Sequence, residues 1–75
     1  MLFKVGDIIE LNVETFFHRK GLLAEVLALN DYSRINSNIK VKIIDDKAYG
    51  ITNGRVVGAD SKLFILHKEI EGVHV

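Results

Sequence analysis

The chain has 75 residues and a mass of 8.4 kDa, enough for one small core and too little for a second. Ten Lys and Arg balance ten Asp and Glu, which excludes the strongly basic class of nucleic-acid binders. The absence of Cys excludes a disulfide framework and a thiolate zinc site, and 48% hydrophobic residues are too many for a disordered chain. The opening Met1-Leu2-Phe3-Lys4-Val5-Gly6-Asp7 meets charge and glycine before a signal-peptide apolar region develops. No apolar run approaches the roughly 20 residues that cross a bilayer. The expectation is a cytoplasmic protein without membrane contact.

Eight Val, nine Ile and two Thr favour strands. Ile9, Leu11 and Val13 alternate with Glu10, Asn12 and Glu14, the pattern of a half-buried strand entered through Gly6-Asp7. Residues 15–30 are ambiguous. Leu22, Leu23, Val26 and Leu27 share a helical face, whereas a strand turns Leu22, Ala24, Val26 and Ala28 one way and Leu23, Glu25, Leu27 and Leu29 the other. The eight residues between Gly21 and Asn30-Asp31 fit a strand better than a stable helix, with one short helix as the alternative. Residues 30–38 are the most polar stretch and read as a loop, after which Ile39, Val41 and Ile43 alternate with Lys40 and Lys42 as a further strand. Asn53-Gly54, flanked by Tyr49-Gly50-Ile51-Thr52 and Arg55-Val56-Val57-Gly58, predicts a two-residue type I′ hairpin. Asp60-Ser61-Lys62 predicts a turn or one 3₁₀ turn, and Leu63-Phe64-Ile65-Leu66 a last strand. Residues 68–75 hold too few apolar positions to add an element and are expected to fray.

These elements predict an all-β domain, a five-stranded barrel over about residues 3–67, because closure removes exposed sheet edges at this size. Phe3-Lys4-Val5-Gly6-Asp7-Ile8-Ile9-Glu10-Leu11 resembles the opening of SH3-like barrels. Lys20-Gly21-Leu22-Leu23-Ala24-Glu25-Val26 resembles the second strand of their KOW and Tudor-type members, and Asp60-Ser61-Lys62-Leu63-Phe64-Ile65-Leu66 their 3₁₀ turn into the final strand. The resemblance implies a single SH3-like barrel and transfers no functional residue. Trp is absent, so the tryptophan-based polyproline recognition of peptide-binding SH3 domains is not expected.

Chemistry is sparse. His18, His67 and His74 lack metal-ligand spacing and read as surface residues, so no metal and no cofactor is expected. Thr15, Ser33, Ser37, Thr52 and Ser61 lie in or near predicted turns, where hydroxyls bond to neighbouring backbone rather than act as nucleophiles. Asp45-Asp46 beside Lys47 reads as a solvated turn, and Gly50, Gly54 and Gly58 lack the Lys and Ser/Thr of a phosphate loop. The expectation is no enzyme.

Two binding surfaces remain. Adjacent Phe16 and Phe17 point to opposite faces if they lie on a strand, which leaves one in water. Leu27 and Leu29 also face outward if Ala24, Val26 and Ala28 face the core. With Tyr32, and with Arg34 as a polar anchor, these residues form a candidate patch for a protein partner or a second copy of the chain. The function expected is that of an interaction module, or an accessory or inhibitory factor, working by occupancy. The alternative is a nucleic-acid face of Arg19, Lys20, Arg34, Lys40 and Lys42, since residues 17–42 hold five basic groups against Glu25 and Asp31.

Overall fold

Strand β1 spans Ile8–Leu11 and buries Ile9 and Leu11, as the alternation requires. It stops there: Val13 is exposed and belongs to the following loop. The computed structural model describes residues 3–32, 35–48 and 50–67. The expected fraying of residues 68–75 lies outside them.

The ambiguous segment resolves as strand, with β2 at Leu23–Leu29 paired to β1 and to β3 at Ile39–Asp45. Ile39, Val41 and Ile43 point into the core, and Lys40, Lys42 and Ile44 point out. A bulge interrupts the β2–β3 ladder: Val26 pairs with Val41 but Ala28 with Lys40 and Leu29 with Ile39, which leaves Leu27 as the extra residue. The bulge reverses the facing of everything after it. Leu29, expected outward by simple alternation, packs against the core, and Ala28 takes the outward position opposite Lys40. A second irregularity makes Ile44 the extra residue on β3, between Ile43 opposite Ala24 and Asp45 opposite Leu23.

Strand β4 covers Val56–Ala59 and pairs with β3. No two-residue hairpin joins them. The connection runs over residues 46–55, and its organiser is Asp46, only 6% exposed. The Asp46 carboxylate accepts from the amides of Ala48, Gly50 and Thr52 at 2.9, 2.8 and 3.1 Å and from Thr52 Oγ1 at 3.0 Å. The Asp46 amide donates to Asn53 Oδ1 at 2.9 Å. Asn53-Gly54 does occupy a turn, closed by the Arg55 amide on the Thr52 carbonyl, but only Gly54 has positive φ (+87°). A type I′ turn needs positive φ at both central residues, so this is not one.

Asp60 caps a 3₁₀ turn, η1, at Ser61–Leu63 by accepting from the Lys62 amide. Strand β5 at Phe64–Leu66 then returns to pair antiparallel with β1. The result is one five-stranded antiparallel sheet in the order β4-β3-β2-β1-β5. Among the described residues no ladder joins β4 to β5, so the sheet is not closed; of the closed or nearly closed barrel expected from the sequence, the five-stranded all-β sheet is present without that ladder. One face is nonetheless buried. Phe3, Ile9, Leu11, Leu22, Ala24, Val26, Ile39, Val41 and Ile43 form the core, with Leu29, Val57, Ala59, Leu63 and Phe64 packed on it. The turn η1 links the two sides of the open sheet, since Asn38 and Ser61 exchange two hydrogen bonds of 2.9 Å and the Asn12 amide donates to the Leu63 carbonyl.

Candidate functional site

The β1–β2 loop, residues 12–22, carries the most exposed aromatic side chains among the described residues. Its tip is a tight turn built by Thr15. The Thr15 amide donates to the His18 carbonyl at 2.9 Å, the Thr15 hydroxyl bonds the same carbonyl at 3.1 Å, and the His18 amide donates to Thr15 Oγ1 at 2.9 Å. Phe16 and Phe17 are therefore the two central residues of a turn rather than part of a strand. That corrects the expectation of one ring in and one out: both are in water, at 93% and 81% exposure. Their rings meet edge to face, centroids 4.9 Å apart and planes at 90°.

Burying a Phe side chain gains about 1.5–3 kcal/mol. A chain of this size that holds two such rings outside its core leaves a large fraction of its attainable stability unused. Beside the rings runs an open groove of about 450 Å³ whose opposite wall is the loop of residues 46–55, with Ala48, Ile51 and Thr52. Ile51 is 72% exposed. Glu14 and Arg19 also line the groove. The Asp46 hydrogen bonds thus fix the wall that faces the aromatic tip. The amides of Ala48 and Thr52 hold the Asp46 carboxyl well below the ordinary carboxylate range. Asp45 is lowered as well, by the Lys47 amide and by the Lys47 ammonium at 3.1 Å.

Phe17 also borders a second cleft, about 540 Å³, on the core side of the open sheet, with Leu11, Leu22, Val57, Leu63 and Phe64 along it. Ile35, from the loop of residues 30–38, reaches the same cleft and is itself exposed. Sequence reading passed over both isoleucines, Ile35 and Ile51. Each is a lone apolar residue among turn formers, a weak signal that becomes visible only once the loops are placed.

The remaining members of the apolar patch divide. Tyr32 is 69% exposed, in the loop after β2. Leu27, on the bulge, and Leu29, on the core side, are half-buried. Arg34 lies outside the described residues. Phe16 and Phe17 are joined at the site by Ile51 rather than by the leucines.

Among the described residues, Arg19, Lys20, Lys40 and Lys42 do not form one stripe. Lys40 is 3.9 Å from Asp31, and Lys42 stands directly across the ladder from Glu25. Arg19 and Lys20 belong to the loop at the Asp45 end of β3, and Asp45 lies five positions along the strand from Lys40, about 16 Å away.

The hydroxyls of Thr15 and Ser37 bond backbone carbonyls, whereas those of Thr52 and Ser61 bond the side chains of Asp46 and Asn38. Thr15 and Thr52 bond as described, Ser37 Oγ donates to the Asp31 carbonyl at 3.0 Å, and Ser61 pairs with Asn38. Ser33 lies outside the described residues. His67 Nδ1 lies 3.1 Å from Glu10 Oε1, His18 sits in the Thr15 turn, and His74 falls outside the described residues. Among the described residues, no three metal-ligating side chains converge and no helix is long and apolar enough to cross a membrane. The solvated-turn reading of Asp45-Asp46 holds in part: Asp45 is half-exposed in its pair with Lys47, whereas Asp46 is buried and structural.

No family model, no curated protein and no solved structure matches this chain.

Proposed function

We propose that this protein is a non-enzymatic interaction module that docks onto a protein partner through the Phe16–Phe17 turn, with Ile51 across the groove as a further contact. The observation that carries the reading is the pair of rings held in water by a turn with its own three hydrogen bonds. Aromatic anchors of this kind supply most of the energy of protein interfaces, and Arg is the polar residue most enriched beside them. Arg19, on the groove, fills that role here. The mechanism is occupancy, as in an accessory or inhibitory factor. A cysteine-free sequence suits a cytoplasmic setting.

The same reading takes the scaffold as SH3-like. Four strands in a meander, a 3₁₀ turn and a fifth strand returned to the first support that arrangement, with η1 drawing the two sides of the open sheet together.

Capture from the lysate of the native source tests the reading. Immobilised wild type and the Lys40→Glu/Lys42→Glu variant should both retain a stoichiometric protein after nuclease treatment, and the Phe16→Ser/Phe17→Ser variant should lose it while its circular dichroism is unchanged. Recovery that vanishes with nuclease, or with the lysine substitutions alone, would establish the nucleic-acid alternative instead.

A further inference from the structure

We infer that Asn53-Gly54 is a conditional deamidation site, held unreactive by the closed β3–β4 loop and released to react when that loop opens; the site stands independently of the docking reading above. Of the five Asn in the chain, only Asn53 precedes Gly. In the reaction the Gly54 amide nitrogen, stripped of its proton, attacks Asn53 Cγ. The new C–N bond closes a succinimide ring while the side-chain nitrogen departs, taking up that proton as ammonia. Water then opens either imide carbonyl and leaves Asp or isoaspartate at position 53. No oxidant and no co-reactant other than water is required.

Both reacting groups are open to solvent, and both are hydrogen-bonded. Asn53 and Gly54 are exposed, and beyond its chain neighbours no atom stands within 4 Å of where a Gly54 side chain would begin. The Gly54 amide donates to the Ile43 carbonyl at 2.7 Å, which withholds the nucleophile. Asn53 Oδ1 accepts the Asp46 amide at 2.9 Å, which pins the side chain under attack. The Asn53 amide on the Gly50 carbonyl and the Arg55 amide on the Thr52 carbonyl fix the backbone on either side. The lock on the whole loop is the Asp46 carboxylate, through the Ala48, Gly50 and Thr52 amides and the Thr52 hydroxyl. Proton loss from a hydrogen-bonded amide is also the step that hydrogen exchange requires, so one opening of the loop governs both reactions.

Conversion acts on the groove wall. Isoaspartate adds a methylene to the backbone before Gly54 and shifts its amide out of register with the Ile43 carbonyl. Asp adds a negative charge to a loop that already holds Asp45 and Asp46. Either product loosens the segment that carries Ile51, in one direction and without an enzyme.

The full chain, incubated at neutral pH and followed by peptide mapping with mass spectrometry, tests the inference. Asn12 and Asn38, each followed by a β-branched residue, are internal controls. Conversion at position 53 should be at least about tenfold slower in folded wild type than in the same chain in guanidinium chloride. Thr52→Val, which removes one contact to Asp46, should accelerate conversion and Gly54 amide exchange together by about threefold to fivefold. Asp46→Ala should accelerate both by about tenfold or more, and if circular dichroism shows that it has lost its fold, Thr52→Val decides alone. Wild type that converts as fast as the unfolded chain, or an unfolded chain that does not convert, overturns the inference. So does a folded Thr52→Val chain whose conversion fails to rise with Gly54 exchange. In the converted chain the Ala48, Gly50 and Thr52 amides should exchange faster, and unchanged protection there overturns the effect on the wall.

Discussion

The Thr15 hydroxyl bonds the His18 carbonyl at 3.1 Å and accepts the His18 amide at 2.9 Å, closing the turn that lifts Phe16 and Phe17 into water. Thr15→Val keeps the shape of the side chain and removes both contacts, each worth about 1 kcal/mol net. Exchange of the His18 amide should accelerate about fivefold or more, and Thr15→Ser should retain protection. Asp46 carries the opposite wall. Its folded pKa is depressed by the Ala48 and Thr52 amides, so the unfolded chain takes up the proton first as pH falls. The stability it supplies is complete above the unfolded pKa of about 4 and is lost as pH drops through the depressed folded value. Asp46→Asn should therefore lower the melting temperature at pH 7 and flatten its decline between about pH 4 and pH 2. Equal acid slopes for the two proteins would show that Asp46 does not organise the loop. Sequence singled out Thr15 only as a turn hydroxyl and Asp46 only as half of a solvated pair. Type and neighbourhood were legible; the donors converging on one carboxylate were not, since four of its hydrogen bonds form only after the loop closes.

Strands were the most legible elements, and the bulge was the least. Alternation in Ile39, Val41 and Ile43 carries straight into the core, because nothing interrupts the period of two before Ile44. On β2 the extra residue Leu27 breaks that period, and a one-residue slip reverses every later side chain. Leu29→Ala should consequently destabilise the fold by about 1–3 kcal/mol, less than a fully buried leucine, and Leu27→Ala by under about 1 kcal/mol. Denaturant unfolding of the two variants checks this, and the reverse order would place Leu27 on the core side. Between β3 and β4 a local dipeptide preference gave way to a longer-range one. Asn53-Gly54 favours a short hairpin, but the satisfied Asp46 carboxylate and the Asn53 Oδ1 contact fix a ten-residue loop, 46–55, instead.

At the scale of the molecule, the all-β class, the strand count and the 3₁₀ turn before β5 follow from the spacing of apolar runs and turn residues. Closure does not, because it depends on how far the sheet curls, and period-two alternation is the same for open and closed sheets. The candidate site was half legible. Phe16 and Phe17 stand out in any reading, whereas Ile51 joins them only because the β1–β2 and β3–β4 connections leave the same end of the sheet. The basic residues illustrate the converse. A net positive segment in sequence is divided in the fold, with Lys40 near Asp31 and Lys42 across from Glu25. A photo-reactive phenylalanine analogue placed at position 16, and in a separate chain at position 42, tests the central claim most directly when both are irradiated in the native cell and the adducts identified by mass spectrometry. The account predicts a covalent protein adduct from position 16 and none from position 42. Nucleic-acid adducts, or adducts confined to position 42, would contradict it.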